Sequence, residues 1–224
     1  MKKKLLSPFL IIALSHFIFF SCETDSYEKG QGKYSLMQAD MGEVVVNSEK
    51  LAVAFSTDDG DNYAITDPVS LSWMQATDTT YRAIIYYNKV EAGQAELMGV
   101  VSVPTMKPVE HWRFKEQPQD PVGFESAWLS KNKKYINLGL LFKSGYVDET
   151  VGTHLVSFAQ DTVYVNADQT RTAYYRFLHG QNDNPEYFTN RHYLSILLPE
   201  DLPDTACVSI VTYSGIVERR FALK

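Results

Sequence analysis

Tyr81-Arg82-Ala83-Ile84-Ile85-Tyr86-Tyr87-Asn88 decides the fold. In an extended chain Tyr81, Ala83, Ile85 and Tyr87 share one face, and Arg82, Ile84, Tyr86 and Asn88 share the other. A 3.6-residue stripe cannot be drawn through the segment, and its β-branched and aromatic side chains suit a half-buried pleated surface. Similar runs follow. Ile136, Leu138, Leu140 and Phe142 alternate with Asn137 and Gly139. Leu194, Ile196 and Leu198 line one face of the stretch after His192, and Val208, Ile210 and Thr212 alternate with Cys207, Ser209, Val211 and Tyr213. Asp58-Asp59-Gly60-Asp61 and Ser214-Gly215 are hairpin turns between such runs. Short strands at this spacing predict an all-β chain of sandwich or barrel type.

Pro104, Pro108, Pro118 and Pro121 cluster where alternation lapses. Proline cannot donate to a strand ladder, so residues 104–121 are expected to be connector. The chain then divides into residues 33–110 as a small β domain, 111–121 as a linker and 122–224 as a second β domain. Charge is uneven between the halves. Residues 22–117 hold 15 acids and 8 bases, whereas residues 118–224 hold 12 and 10.

The first residues read as an address. Lys2, Lys3 and Lys4 precede an apolar stretch, Leu5 to Phe20, that is shorter than the ~20 residues a spanning helix needs. Phe19-Phe20-Ser21-Cys22 has the form of a loose lipobox, in which cleavage exposes a cysteine that receives lipid. The expectation is a signal peptide over residues 1–21, an acylated Cys22 and a tether over residues 22–32. Two or more lipid chains would make Cys22 a stable membrane anchor. Removing residues 1–21 takes away three lysines and no acid, which leaves 18 basic against 27 acidic residues. Glu23-Thr24-Asp25-Ser26 resembles the surface-export signal of Bacteroidetes lipoproteins, so the expected address is the outer membrane, facing the cell surface, with the periplasmic side as the alternative.

Several longer segments resemble one family. Lys33-Tyr34-Ser35-Leu36-Met37-Gln38-Ala39-Asp40, Thr57-Asp58-Asp59-Gly60-Asp61 and Asp78 to Lys89 resemble the N-terminal domain of NigD-like proteins. Lys134-Tyr135-Ile136-Asn137-Leu138, His179 to Glu186 and Tyr193-Leu194-Ser195-Ile196 resemble its second domain. The resemblance implies an OB-like N-terminal small barrel followed by a C-terminal antiparallel β-sandwich, on a Bacteroidetes lipoprotein. The family's name comes from a bacteriocin operon, which implies an immunity-like role. It supplies no catalytic residues and no cofactor.

Candidate chemistry is sparse. With only Cys22 and Cys207, multi-cysteine zinc sites and disulfide scaffolds are excluded. Cys207 alternates within a strand and is expected to be a core thiol. A metal reading would join His179 to His192, with Asp183 or Glu186, but no ligand-type spacing supports it. Asp58, Asp59 and Asp61 invite a calcium reading, yet the twelfth position is Val69 and the hairpin turn accounts for the run. Asn184-Pro185 reads as the start of a short helical turn through Phe188. No Gly-x-Ser-x-Gly elbow occurs, so no enzyme activity and no cofactor are expected.

An OB-like fold could bind oligonucleotides, but the acidic N-terminal half repels phosphate, so nucleic acid is not expected as a partner. Sugar stacking needs no positive charge. Tyr86, Tyr87 and Trp73 in the first half and His179 and Tyr187 in the second are the candidate ligand-facing residues. Tyr174, Tyr175, Tyr193 and Trp128 raise the same question, and the alternate tyrosines are expected first of all to be core and flank. The expected function is a non-enzymatic binding module with a protein partner, with a surface glycan as the alternative ligand.

Overall fold

The computed structural model describes residues 36–91, 93–147 and 150–224. The signal peptide, Cys22 and the tether lie outside the described residues. Residues 37–224 form one compact unit.

Five strands come first: β1 (Gln38–Val46), β2 (Leu51–Thr57), β3 (Asn62–Ser70), β4 (Thr79–Glu91) and β5 (Gln94–Ser102). They close into a barrel in the order β1-β2-β3-β5-β4, with β4 returning to pair along β1. Closure follows from the alternation in Tyr81–Asn88. Ala83, Ile85 and Tyr87 turn inward with Val44, Phe55, Tyr63 and Ile65. The rings of Phe55, Tyr63 and Tyr87 meet with centroids 4.9 to 5.3 Å apart, filling the centre. The expected Asp-Gly hairpin joins β2 to β3, with Gly60 at φ +96°, a conformation that costs glycine nothing.

The chain then enters a two-layer sandwich. Its strands are β6 (Thr105–Met106), β7 (Val109–Glu110), β8 (Gly123–Leu129), β9 (Tyr135–Ser144), β12 (Leu155–Val165), β13 (Arg171–Gly180), β14 (Phe188–Leu197), β15 (Thr205–Thr212) and β16 (Gly215–Ala222). Two short strands, β10 (Tyr146–Val147) and β11 (Thr150–Val151), form a separate ribbon. One sheet runs β16-β15-β13-β12-β7 and the other β6-β14-β9-β8. Between them pack Ile136, Leu138, Leu140 and Phe142 of β9, Leu194 and Ile196 of β14, and Phe158, Tyr175, Phe177, Val208 and Ile210 from the facing sheet.

The all-β reading, barrel then sandwich, is what the chain adopts. Three details differ from the sequence expectation. The sandwich is mixed rather than wholly antiparallel, because β6–β14, β7–β12 and β13–β15 pair in parallel. Alternation fixes which face a residue takes and is silent on which strand lies beside it. The proline-rich stretch is also partly sheet. β6 and β7 each contribute two residues to opposite layers, and the prolines flank these short pairings rather than interrupt them. Finally, Asn184-Pro185 starts no helical turn. The Asn184 side chain turns away to accept from the Gly145 N–H (3.1 Å), and Tyr187 N–H bonds the Ser144 carbonyl, leading into β14.

Candidate functional site: the seam between barrel and sandwich

β9 is buried along almost its whole length, on both faces. Its inward face meets the sandwich core. Its outward face carries Tyr135, Asn137 and Gly139, and the barrel covers it. The outward face of β4 supplies the contact: Arg82, Ile84 and Tyr86 stand in a row, opposite the face that fills the barrel.

Arg82 is the centre of the seam. Its guanidinium donates to both oxygens of Asp58 (2.5 and 2.6 Å), to Asn137 Oδ1 (2.9 Å) and to Ser195 Oγ (3.2 Å). Asn137 Nδ2 donates to Asp58 Oδ2 at 3.0 Å, and the Ser195 hydroxyl donates to Asn137 Oδ1 at 2.8 Å. Tyr135 lies under the guanidinium, 4.0 Å from ring centroid to Cζ. A planar fork of five donors suits such a convergent acceptor set, and lysine could not reproduce it. The ion pair with Arg82 accounts for Asp58 without a calcium ion. Beside this cluster Glu43 of β1 accepts from Lys134 Nζ (2.7 and 2.8 Å) and from the Tyr135 hydroxyl (2.7 Å). Burial pushes the Glu43 carboxyl up, but those hydrogen bonds and the charges of Lys134 and Arg82 outweigh it and hold it below the usual range.

Next to the clamp a groove of about 390 Å³ opens between the two bodies. Asp40, Met41, Asp59, Ile84 and Tyr86 line its barrel side, and Trp128 and Tyr193 its sandwich side. Trp128 shares a cross-strand row with Asn137, and Tyr193 pairs with Gly139. A Cβ on Gly139 would press within 2.6 Å of Ser126 Oγ and 3.3 Å of the Tyr193 ring, so glycine lets the row close. Trp128 and Tyr193 meet edge to face at 6.3 Å. Two carboxylates border the rings. Asp40 accepts from the Tyr87 hydroxyl (2.8 Å), and Asp59 lies 3.2 Å from exposed Lys131. Three half-buried rings with carboxylates at the edge can stack on a sugar face or hold a cationic side chain.

Solved structures share this two-body architecture. A NigD-like immunity protein from Bacteroides caccae aligns with a TM-score of 0.63 at 19% identity, covering 83% of this chain and 97% of its own. A protein described as toxin-related, from Parabacteroides distasonis, gives 0.63 at 17% identity over 83% and 92% of the two chains. A protein described as a lipoprotein, from Bacteroides fragilis, gives 0.59 at 14% identity over 84% and 98%. The chain has the NigD-like fold. The resemblance read from the sequence is therefore matched by a shared architecture. No protein-family model and no curated protein matches the sequence.

Within the NigD-like fold the sequence candidates separate. Tyr86 lines the groove. Tyr87, its neighbour, is 1% exposed and belongs to the barrel core. Burial first, and then the Asp40 carboxylate beside it, pushes its hydroxyl pKa upward. Trp73 packs edge to face on Tyr81 (5.5 Å) against the barrel core and lines none of the cavities described. Tyr187 is 77% exposed and stands away from the groove. His179 is buried at the end of β13, and its neighbour is His154 rather than His192. β13 and β14 lie in different sheets, so the two strand ends do not form a hairpin. His192 meets the same Phe142 ring as His179, at 5.0 Å. Among the described residues no group of three or more potential ligands could hold a metal.

The histidines form a chain of hydrogen bonds instead. His179 Nδ1 faces the Asp120 carbonyl at 2.9 Å, so it must donate. Nε2 is then the acceptor for His154 Nδ1–H at 2.9 Å. His154 Nε2 in turn accepts from Asn184 Nδ2 (3.1 Å) and Ser144 Oγ (3.0 Å). Asn184 cannot flip, since its oxygen is held by the Gly145 N–H. Both rings are therefore neutral in fixed tautomers. Arg82, Asp40 and His154 carried no motif that marked them. Arg82's place on the outward face of β4 was the one available signal.

Proposed function

We propose that the chain is a membrane-tethered, non-enzymatic binding lipoprotein of NigD-like type, with an OB-like barrel and a sandwich that present a partner site at their seam. The lipobox-like Cys22 and the shared fold with a protein described as a lipoprotein support the tether, and the outer membrane with outward orientation is the address we assign it. The single observation that carries the binding role is the groove in which Tyr86, Trp128 and Tyr193 surround a space edged by Asp40 and Asp59. Rings beside carboxylates fit a basic side chain of a protein partner, in keeping with an immunity-like role.

A photo-cross-linking residue in place of Tyr86, on intact cells, tests this reading. The expected result is a discrete protein adduct that the same residue placed at remote, exposed Ile216 does not give. Equal adducts at both positions, or none at Tyr86, would remove the protein-partner reading. Cys22→Ala is expected to release the chain from the membrane fraction, and its retention there would remove the tether.

The three-ring arrangement also favours a second reading, a surface glycan stacked in the same groove. Saturable glycan-array binding by the full chain carrying Cys22→Ala, lost on Trp128→Ala, supports that reading. An empty array removes it.

A further inference from the structure

A second cavity lies away from the groove, at the end of the sandwich where its two sheets part. It measures about 700 Å³, within the ordinary range for small-molecule sites. Tyr175 of β13 and Gln160 of β12 enter from one sheet, Leu197 from the other, and Leu198, Pro199 and Leu202 from the loop after β14. Lys107, Lys133 and Lys134 stand at the rim with a single acid, Glu200.

Three observations set this cavity apart from a packing defect. Tyr175 is 2% exposed and faces the sandwich core beside Phe177, yet its hydroxyl has no hydrogen-bond partner among the described residues. Burial alone pushes its pKa up to about 12, with no acceptor or charge contributing. The hydroxyl itself is not sealed off: it opens onto the cavity, within reach of a ligand. Gln160 pairs directly opposite Tyr175 across the two strands, and its side-chain amide also finds no partner among the described residues. Lastly, the rim gathers three lysines in a chain with a net charge of −6. Lys134 is engaged with Glu43, but Lys107 and Lys133 are exposed and form no ion pair among the described residues.

We propose that this cavity binds a small carboxylate with an apolar body and a polar group at its far end. Lys107 and Lys133 hold the carboxylate at the rim. Leu197, Leu202 and the Tyr175 ring cover the body, and the Tyr175 hydroxyl and Gln160 amide meet the far polar group. An apolar wall disfavours a free sugar acid, and the lysines disfavour an amine.

The full chain carrying Cys22→Ala would be titrated with 3-(4-hydroxyphenyl)propanoate, 3-phenylpropanoate and tyramine, with binding read by calorimetry. The expected order is hydroxylated acid tightest, the deoxy acid weaker, and the amine without saturable binding. Joint Lys107→Glu and Lys133→Glu substitution should weaken both acids about tenfold or more, as for loss of a charge-assisted contact. Tyr175→Phe should weaken only the hydroxylated acid and leave the melting temperature unchanged, because its hydroxyl holds nothing in the fold. These surface and isosteric changes leave the core intact, so the result does not hinge on folding. Absence of saturable binding of either acid, equal binding of tyramine, or indifference to the paired lysine change would overturn the proposal. Equal losses for both acids on Tyr175→Phe would also overturn it.

Discussion

The Arg82 guanidinium grips the Asp58 carboxylate through two hydrogen bonds, in a seam where neither residue is more than 9% exposed. Removing one partner leaves the other charge buried beside Asn137. Arg82→Met is therefore expected to destabilise the chain by about 3–5 kcal/mol in urea unfolding, whereas Arg82→Met combined with Asp58→Leu should recover much of the loss. A single-variant cost below about 1 kcal/mol would show that the seam is wetter than its exposure indicates.

Adjacent tyrosines should behave in opposite ways. Tyr87→Ala empties the barrel centre between Phe55 and Tyr63 and should cost about 3–5 kcal/mol. Tyr86→Ala opens the groove wall and should leave the urea midpoint nearly unchanged while abolishing the partner adduct given by a photo-cross-linking residue placed at Ile84 on the same wall. Thermal melts and cross-linking on the same pair of variants separate the two roles.

Stability should fall on mild acidification. Burial, reinforced for His154 by neighbouring His179 and His192, holds the pKa of His154 below the usual histidine value. Burial does the same for His179 against the opposing pull of the Asp120 carbonyl. A histidine with a depressed folded pKa refuses a proton that the unfolded chain accepts. Stability is thus full above about pH 6.5 and declines as pH drops through and below that value, by up to about 1.4 kcal/mol per pH unit for each group. His179→Gln should flatten this slope in melts between about pH 7 and pH 5. An unchanged slope would place the titrating groups elsewhere.

Two barrel glycines give a contrast in strand packing. A Cβ on Gly42 would run into the Ser56 carbonyl oxygen of the adjacent strand, which cannot give way without breaking the β1–β2 ladder. Gly42→Ala should cost about 1–3 kcal/mol. Gly99→Ala meets only the Tyr86 side chain at an ordinary 3.8 Å and should be close to neutral. Chemical denaturation of the two variants measures the difference.

The alternation at Tyr81–Asn88 carried most of what was legible. It placed Ala83, Ile85 and Tyr87 on one face and Arg82 and Tyr86 on the other, as the barrel has them. It could not say that the second face would also be covered, because a polar row of Arg82, Asn137 and Ser195 reads like solvent-exposed sheet until the partners are brought together. Their contacts span 55 to 113 residues of sequence, beyond any local pattern. The same blindness hid His154 from His179, whose pairing depends on a loop returning to the end of β13. The charge asymmetry was visible, but its use was not. Acids on the barrel, Glu43 and Asp59, face Lys134 and Lys131 of the β8–β9 turn across the seam.

On leaving the barrel, the chain is stitched to one layer of the sandwich through β6 and, three positions after Met106, to the other through β7. Tension applied to the barrel therefore has no slack connector to straighten. It meets both layers at once, at short ladders that must rupture together with the Arg82 clamp. The two bodies should yield to stretching in a single mechanical event rather than in sequence, so that a pull on one end of the molecule is felt across all of it.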